Sequence, residues 1–308
     1  MMRCSLIRGL VLASALLTLA SCNKTKTAAD VDTGVRVLDQ GDRPRDRVRY
    51  KVPPGTTTSS TTTLRVRTLA TSPDGAALSV LPGLRLDIVS GPAETTERGV
   101  KFKVDVVNAE ALLPAGLDPQ TADMLRDGAK IVDQVGGWIE VDDRGQKLAG
   151  ELDAGAKRSD VPVRLLRMIV NTRETLSRVL LPEEPIGLGA RWETRRTINA
   201  YGIEIQQVNT YTLVDRVGDE LMLNVTVQQR ALPQSISFPE DGIEISVESI
   251  STLANGQIVL DLDALESDAS ANGSSEDRIT VQTVEGKKPI RVDETFEIQV
   301  ANTSGLVR

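Results

Sequence analysis

The feature that most constrains the fold is the alternation of apolar and polar residues through the second half of the 308-residue chain. From Trp192 onward, apolar residues occupy every second position in one segment after another. That two-residue period is typical of a β-strand with one buried face. The apolar positions are Ile203 and Ile205; Leu221, Leu223, Val225 and Val227; Ile243, Ile245 and Val247; Ile258, Leu260 and Leu262; Ile279 and Val281; and Phe296, Ile298 and Val300. The pattern predicts an antiparallel sheet with one apolar face.

Turn signals and the first half of the chain extend this pattern. Gly218-Asp219, Asp241-Gly242 and Asn255-Gly256 favour hairpin connections, and Pro73-Asp74-Gly75 and Pro82-Gly83 are further turn signals. Alternating apolar residues continue at Leu84, Leu86 and Ile88 and at Val100, Phe102, Val104 and Val106. We therefore expect a mainly β fold of antiparallel meander sheets, of which a curved half-barrel is one arrangement.

Three shorter segments also have strand character. Val48, Tyr50 and Val52 alternate with polar residues, as on a half-buried strand. Residues 56–63 are all Thr or Ser, which predicts a solvated extended strand, with an adhesive or glycan-bearing face as the alternative. Residues 138–142 alternate before Asp143-Arg144-Gly145, which predicts a strand followed by a turn and a second strand.

Two segments have helical spacing instead. Asp118 as the cap and Pro119 as the first helical residue predict a helix that continues to about Gln134. A second helix is predicted between Pro162 and Pro182, and both helices are expected to pack on the sheet. The apolar positions of the second helix are Leu165, Ile169, Leu176 and Val179, and its arginines are Arg164, Arg167, Arg173 and Arg178. The spread of these arginines favours a solvated helix face, with a basic interfacial helix as the alternative.

Composition excludes several classes of chemistry. The chain contains no histidine, and its two cysteines, Cys4 and Cys22, both lie near the N-terminus. Ser-His-Asp and Cys-His triads, ordinary zinc, haem and iron–sulfur sites and a disulfide framework are therefore not expected. The net charge of −7 and the 3% aromatic content argue against nucleic acid as a partner.

The N-terminus has the three parts of a secretory signal. Arg3 and Arg8 precede an apolar run from Gly9 to Leu19, which is followed by small residues. The run is about half of the ~20 residues needed to cross a bilayer. We therefore expect residues 1–21 to be a cleaved signal peptide.

Leu19-Ala20-Ser21-Cys22 closes the apolar run and resembles the lipobox of bacterial lipoproteins. The resemblance implies cleavage before Cys22 and a diacylglyceryl thioether on its sulfur, which would hold the chain at the membrane. In the enteric sorting pattern, Asn23 after the lipidated cysteine points to the outer membrane. We therefore expect a lipid-anchored protein that faces the periplasm. An ordinary signal peptide with a chance cysteine is the alternative.

A second resemblance lies in the middle of the chain. Pro185-Ile186-Gly187-Leu188-Gly189-Ala190-Arg191-Trp192 resembles a turn in uncharacterised bacterial lipoprotein families, in which it precedes a long β-hairpin. The resemblance implies no activity. On physical grounds the two glycines permit a tight bend, and Trp192 is expected to plug one end of the core.

These boundaries predict four parts of the chain. Residues 1–21 are the signal peptide and 22–34 a polar tether. Residues 35–160 are a β-rich lobe with one helix, and 161–308 are a second helix followed by a β-rich lobe.

Two acidic segments are candidate sites. Asp268-Ala269-Ser270-Ala271-Asn272-Gly273 begins like a calcium loop, but its twelfth position is Ile279 rather than Glu, so a flexible acidic loop is favoured. Glu183-Glu184 lies on a Pro-flanked loop and is expected to be solvated rather than a general acid. Asp142 and Asp143 are expected to form a turn. We predict no catalytic residue, no metal site and no cofactor, and Cys22 is the one assigned site, for lipid attachment.

Three functional hypotheses are compatible with these observations. The first is a non-enzymatic binding or envelope-assembly module with a protein partner, held at the membrane by Cys22. The alternative is a carrier of a hydrophobic or lipid ligand in a curved β-sheet cup, which requires an apolar cavity that side chains leave unfilled. The third is a hydrolase that uses two carboxylates, which requires both to meet in one pocket.

Overall fold

The computed structural model describes residues 32–80, 83–130, 132, 135–153, 178–200, 203–238, 243–283 and 286–302. The fold is mainly β, as predicted. The strands are β1 (Asp32–Asp39), β2 (Thr58–Ser72), β3 (Gly75–Val80), β4 (Gly83–Ser90), β5 (Glu94–Thr95), β6 (Val100–Leu112), β7 (Gly136–Val141), β8 (Lys147–Asp153), β9 (Arg191–Ala200), β10 (Ile203–Val217), β11 (Glu220–Ala231), β12 (Gln234–Phe238), β13 (Ile243–Asp261), β14 (Asp268–Thr283) and β15 (Gly286–Asn302).

All these strands belong to one antiparallel sheet of 15 strands. The main path runs β1-β9-β10-β11-β13-β14-β15-β2-β4-β6-β7-β8, and β3, β5 and β12 pair beside it. Among the described residues, β1 and β8 do not pair with each other, so the sheet is not closed. The pairings β1–β9 and β15–β2 carry the sheet across the predicted lobe boundary.

The sheet is strongly curved. Trp192 in β9 donates its indole N–H to the Leu180 carbonyl, and the next residue, Leu181, donates its N–H to the Arg144 carbonyl between β7 and β8. In a flat sheet, β9 and β7 would lie nine strand spacings apart, or roughly 43 Å. These contacts require the ends of the sheet to turn toward each other, which gives a concave and a convex face.

Several hairpins form where the turn signals predict them. Residues 73–74 connect β2 to β3, residues 142–146 connect β7 to β8, and residues 218–219 connect β10 to β11. β2 begins at Thr58 inside the hydroxyl run, which confirms the extended strand. The strand is not solvated on both faces, because Thr58, Ser60 and Thr62 are buried.

The turn predicted at Asn255-Gly256 is wrong. β13 continues through both residues, and Gly256 pairs with Val225 on one side and Ala271 on the other. A Cβ atom at Gly256 would lie 2.2 Å from the Ser270 carbonyl oxygen. The glycine is therefore explained by the close approach of a neighbouring strand rather than by a turn.

The acidic loop predicted at residues 268–273 is also wrong, and so is its calcium-loop alternative. These residues form the start of β14, where they pair with β13 and β15. Gly273 is the register partner of Phe296, and the Phe296 ring occupies the space where a glycine Cβ would be. The alternating oxygen side chains are thus the outward positions of a strand.

One helix lies in the described part of the chain, α1 (Pro119–Lys130). The Asp118 carboxylate accepts the Thr121 N–H at 2.9 Å, which caps the helix as predicted, and this hydrogen bonding lowers the pKa of Asp118. α1 ends at Lys130, four residues before the predicted end. Most of the second predicted helix lies in residues 154–177, outside the described residues, and the chain is irregular rather than helical at residues 178–181.

The strand predicted around Val48, Tyr50 and Val52 does not join the sheet. Instead, residues 46–52 form a strap whose backbone partners are loops: Tyr50 N–H donates to the Asp143 carbonyl and Lys51 N–H to the Leu262 carbonyl. The Tyr50 hydroxyl donates to the Val179 carbonyl and accepts the Val179 N–H. The strap therefore links the β7–β8 turn to the β13–β14 loop.

The main core fills the concave face at the end nearest the strap. Trp192 is fully buried and stacks on Tyr211, with ring centroids 5.4 Å apart. This core, which we call the lower core, comprises Val48, Val179, Leu181, Ile186, Ala190, Trp192, Tyr211, Leu213, Leu221, Leu223, Val225, Val227, Ala254, Ile258, Leu260, Leu262, Ala269, Ala271, Ile298 and Val300. Two smaller clusters lie beside it, one of them where α1 leads into β7.

The bend at residues 185–192 seals this core. A Cβ atom at Gly187 would lie 1.9 Å from the Asp42 carbonyl oxygen, whereas Gly189 has a φ of +79° and open space around it. The first glycine permits a close backbone approach and the second a left-handed turn. β9 and β10 follow as a long hairpin, and Trp192 lies in the lower core, as expected from the sequence.

Candidate functional site: the concave face of the sheet

The strand register sorts the concave face into rows that run across the strands. Because residues two apart in a strand share a face, the partners of Trp192 and their neighbours can be followed from strand to strand. The row through Trp192 contains Trp192, Tyr211, Val225, Gly256, Ala271, Ile298, Leu64 and Leu84. This row is apolar and belongs largely to the lower core.

Two rows further from the strap, the concave face becomes entirely polar. The members, which we call the polar row, come from seven neighbouring strands: Arg196, Gln207, Gln229, Thr252, Ser275, Glu294 and Thr68. Gln207 and Thr68 are buried, and the others are half-buried. A continuous polar row across seven strands is unusual on the apolar face of a sheet, because each buried polar group needs a hydrogen-bond partner.

Much of the polar row is satisfied within itself. Gln229 Nε2 donates to Gln207 Oε1 at 2.7 Å, and the hydroxyls of Thr252 and Ser275 lie 3.0 Å apart. The Thr68 hydroxyl donates to Glu294 Oε1 at 2.9 Å. These bonds join side chains on adjacent strands, so they also fix the register of the sheet.

A hydrogen-bonded chain leads from the polar row into the lower core. Gln207 Nε2 donates to Asn209 Oδ1 at 2.8 Å, and Asn209 Nδ2 donates to the Tyr211 hydroxyl oxygen at 3.1 Å. All three side chains are at least 96% buried. The side-chain amides of Gln207 and Asn209 thus connect the polar row to the lower core by hydrogen bonds.

A second carboxyl group lies one row beyond Glu294. Asp277 has Ile250 and Val292 as its cross-strand neighbours and accepts the Ser275 hydroxyl at 2.6 Å. Burial, together with the negative charges of Glu294 and Asp293, raises the pKa of Asp277 to about 6. No described cation forms an ion pair with Asp277 or Glu294. The concave face therefore carries two neighbouring carboxyl groups, those of Glu294 and Asp277, that no described cation neutralises.

Beyond the polar row the inward positions are mainly apolar, in a region that we call the upper apolar band, and Asp277, Gln234 and Lys288 are the polar residues within its rows. Its members are Ile198, Ile205, Ala231, Ile250, Val292 and Ala70 in the first row, Val247, Ile279 and Ile290 in the next, and Ile236, Ile245 and Val281 in the third. Nine of the twelve are half-buried rather than buried. The band keeps apolar surface accessible at the end of the sheet away from the strap.

The convex face of the same strands is mainly polar. In β14 the outward residues are Ser270, Asn272, Ser274, Glu276, Arg278, Thr280 and Gln282. Arg278 pairs with Glu276 on this surface. Leu69, Met222 and Leu253 are exposed at outward positions, so the convex face carries scattered apolar side chains, whereas those of the concave face form adjacent rows.

A separate buried polar contact ties the β13–β14 loop to β2 and β4. Glu266 is 2% exposed and accepts the hydroxyl of Ser60 at 2.6 Å and that of Ser90. The neighbouring Leu265 packs with Phe102 and Val141 in one of the smaller clusters. This loop crosses the concave face near the strap and holds two distant parts of the sheet together.

The candidate residues from the sequence lie elsewhere. Glu183 is 75% exposed and pairs with Arg144, and Glu184 is also exposed. Asp142 forms the β7–β8 turn by accepting the N–H groups of Arg144 and Gln146 at 2.9 and 2.7 Å. Cys22 lies in residues 1–31, outside the described residues.

Sequence reasoning missed the polar row and the Asp277–Glu294 pair. The one available signal was a polar residue at an inward position of an alternating strand, such as Gln207 between Ile205 and Tyr211. Within the described ranges, no group of three or more Asp, Glu or Cys side chains is arranged to hold a metal ion. No helix in the same ranges has the length and apolar character needed to span a membrane.

Comparisons with known proteins leave the family open. No protein-family model matches the chain, and no curated protein matches it either. A solved structure of lipovitellin, from work on its lipid–protein interactions, matches with a TM-score of 0.40 and 9% identity. The match covers 80% of this chain but 25% of the lipovitellin chain.

A second solved structure is OccK8 (OprE) of Pseudomonas aeruginosa. It matches with a TM-score of 0.19 and 8% identity over 82% of this chain and 99% of that chain. Similarities this weak carry no argument about function, so the site has to be judged by its own geometry.

Proposed function

We propose that the protein is a non-enzymatic, lipid-anchored binding protein of the bacterial outer membrane that holds an amphipathic ligand on its concave face toward the periplasm. The observation that carries this proposal is the polar row, which lies between the lower core and the upper apolar band. A sheet face that serves only to pack a core gains nothing from an uninterrupted polar row, since burial of polar groups stabilises less than burial of apolar ones.

The layers match the two parts of an amphipathic molecule. The upper apolar band offers aliphatic side chains from β9, β10, β11, β12, β13, β14, β15 and β2 to an acyl chain or similar apolar body. The polar row offers amide, hydroxyl and carboxyl groups to a polar end. A ligand that lies perpendicular to the rows would place its apolar part on the upper apolar band and its polar end on the polar row.

The anchor is the second part of the proposal. Two or three acyl chains on Cys22 would hold the cup close to a bilayer, where amphipathic molecules are abundant. Metabolic labelling with a fatty acid tests this part: wild type is expected to incorporate the label and Cys22→Ala to lose it. Equal labelling of the two would refute the anchor without bearing on the concave face.

A matched pair of variants tests the binding surface. Val281 is an inward, half-buried member of the upper apolar band, and Gln282 is the next residue on β14 and faces outward. A carboxylate on an apolar binding surface repels an apolar ligand because it must be desolvated. Val281→Glu is therefore expected to weaken binding of a fluorescent phospholipid to residues 23–308 by tenfold or more, and Gln282→Glu by less than twofold.

The outcomes separate the alternatives. Equal binding by both variants would place the ligand elsewhere, and no binding by wild type would remove the lipid-carrier proposal. In the latter case a protein partner captured by crosslinking, and lost in Val281→Glu, would identify the concave face as an assembly surface instead.

A further inference from the structure

A cavity of about 240 Å³ lies between the strap and the sheet, separate from the polar row. Its walls come from the strap, from the hairpin of β5 and β6, from the β7–β8 turn and from the β13–β14 loop. Much of the lining is apolar, with Val52, Val100, Phe102, Val141, Ala264 and Leu265 contributing. The cavity therefore has the concave, mostly apolar form of a small-molecule site.

The wall contains one arginine, Arg178, which lies beside an aromatic ring. The guanidinium carbon of Arg178 lies 5.4 Å from the centroid of the Phe102 ring. Arg178 Nε is buried and has no hydrogen-bond partner, and no described carboxylate forms an ion pair with this side chain. A buried N–H group without a hydrogen bond destabilises the protein, and a ligand that accepts a hydrogen bond from it would remove this cost.

The other charged groups of the lining are already engaged. Asp142 accepts two backbone N–H groups of its own turn, and Asp143 is 65% exposed and lies 3.7 Å from Arg49. Lys51 Nζ pairs with Asp219 at 2.7 Å. Among the described lining residues, Arg178 is thus the cation that is available to a ligand.

We propose that this cavity binds a small monocarboxylate with an aliphatic body, whose carboxylate accepts from Arg178 and whose chain lies against Phe102 and Leu265. Arginine matches a carboxylate in charge and in its fork of donors. The size follows from volume: a cavity of about 150 Å³ holds benzene, so 240 Å³ accommodates about ten non-hydrogen atoms. Octanoate has this size and chemistry.

Calorimetric titration of the full-length protein in lipid nanodiscs, with empty nanodiscs as the blank, tests the proposal. Octanoate is expected to bind wild type at one per chain, and 1-octanol, which has no charge, at least tenfold more weakly. Arg178→Gln is expected to lose at least tenfold in octanoate affinity and to leave octanol unchanged, because only the charged contact is removed.

Two further variants complete the test. Arg67→Gln removes an exposed arginine of β2 and is expected to bind octanoate like wild type. Ala264→Phe fills the cavity while Arg178 stays in place, and it is expected to abolish binding of both ligands. This variant tests the cavity independently, so the proposal can be checked if Arg178→Gln does not fold. Absence of octanoate binding by wild type, or equal affinity in the Arg178→Gln and wild-type proteins, would overturn the proposal.

Discussion

The lower core and the upper apolar band lie on the same strands and the same face, yet they differ in what covers them. The lower core is closed by the strap and by the bend at residues 185–192, so that Trp192, Leu221 and Ile258 have no exposed surface. In the upper apolar band, Ile279 and Val281 are half-buried. The polar row separates the two regions.

One amphipathic strand can therefore serve two purposes along its length. Where loops return across the concave face, the apolar side chains stabilise the fold. Where they do not, equivalent side chains keep accessible surface, which soluble proteins seldom leave in large contiguous patches without a binding role. We therefore expect stability to depend on the lower core and binding on the upper apolar band.

The largest expected difference concerns removal of a side chain from each region. Trp192→Ala removes a fully buried ring, its stack on Tyr211 and its hydrogen bond to the Leu180 carbonyl, and it is expected to lower the free energy of unfolding by about 3–5 kcal/mol. Ile279→Ala in the upper apolar band is expected to cost about 1 kcal/mol, because the side chain is half-buried. Urea denaturation measures both. Equal losses would contradict the division.

The two glycines of the sealing bend give a smaller contrast. Gly187→Ala places a methyl group against the Asp42 carbonyl and is expected to cost about 2–3 kcal/mol. Gly189→Ala meets no neighbouring atom, so its cost is the left-handed backbone conformation alone, about 1 kcal/mol. Thermal unfolding of the two variants, compared with wild type, tests whether the bend is held by the close approach at Gly187.

The smallest expected effect is a pH dependence at Asp277, one row beyond the polar row. Because the pKa of Asp277 is raised to about 6 in the folded state, folding takes up a proton there, and stability falls as the pH rises from about 4 to 6 and stays lower above that. Asp277→Asn removes the charged form. The variant is therefore expected to match wild type near pH 4 and to be roughly 1–2 kcal/mol more stable at pH 7.5, allowing for partial solvent screening.

A control separates this effect from a general change in charge. Asp263 is exposed in the β13–β14 loop, so Asp263→Asn is expected to leave the pH profile of stability unchanged. Denaturation of both variants at pH 4.5, 6 and 7.5 makes the comparison. A constant difference between Asp277→Asn and wild type across this range would contradict the assignment.

Much of the sheet could be predicted because its information is local. The two-residue alternation identified β4, β6, β10, β11, β15 and both ends of β13, and Gly218-Asp219 indicated a hairpin. The same local signals failed at Gly256 and Gly273, where glycine accommodates a neighbouring backbone and the Phe296 ring. A glycine that makes room for a distant residue cannot be distinguished from a turn glycine until the register is known.

The polar row could not be predicted for a related reason. Thr68 and Glu294 are 226 residues apart, and they meet because β2 pairs with β15. Bulges also shift which residues face inward, as in β13 between Val247 and Ser249. The strap shows the converse, because Val48 and Tyr50 have the alternation of a strand but take their backbone partners from loops.

Native mass spectrometry of the protein, purified from bacterial envelopes and then incubated with membrane extract, tests whether the concave face holds a ligand. If the concave face holds an amphipathic ligand, the spectrum will show an added small molecule at near-unit stoichiometry in wild type and in Gln282→Glu, and its loss in Val281→Glu. A spectrum with no added mass in wild type, before and after incubation, would contradict the claim.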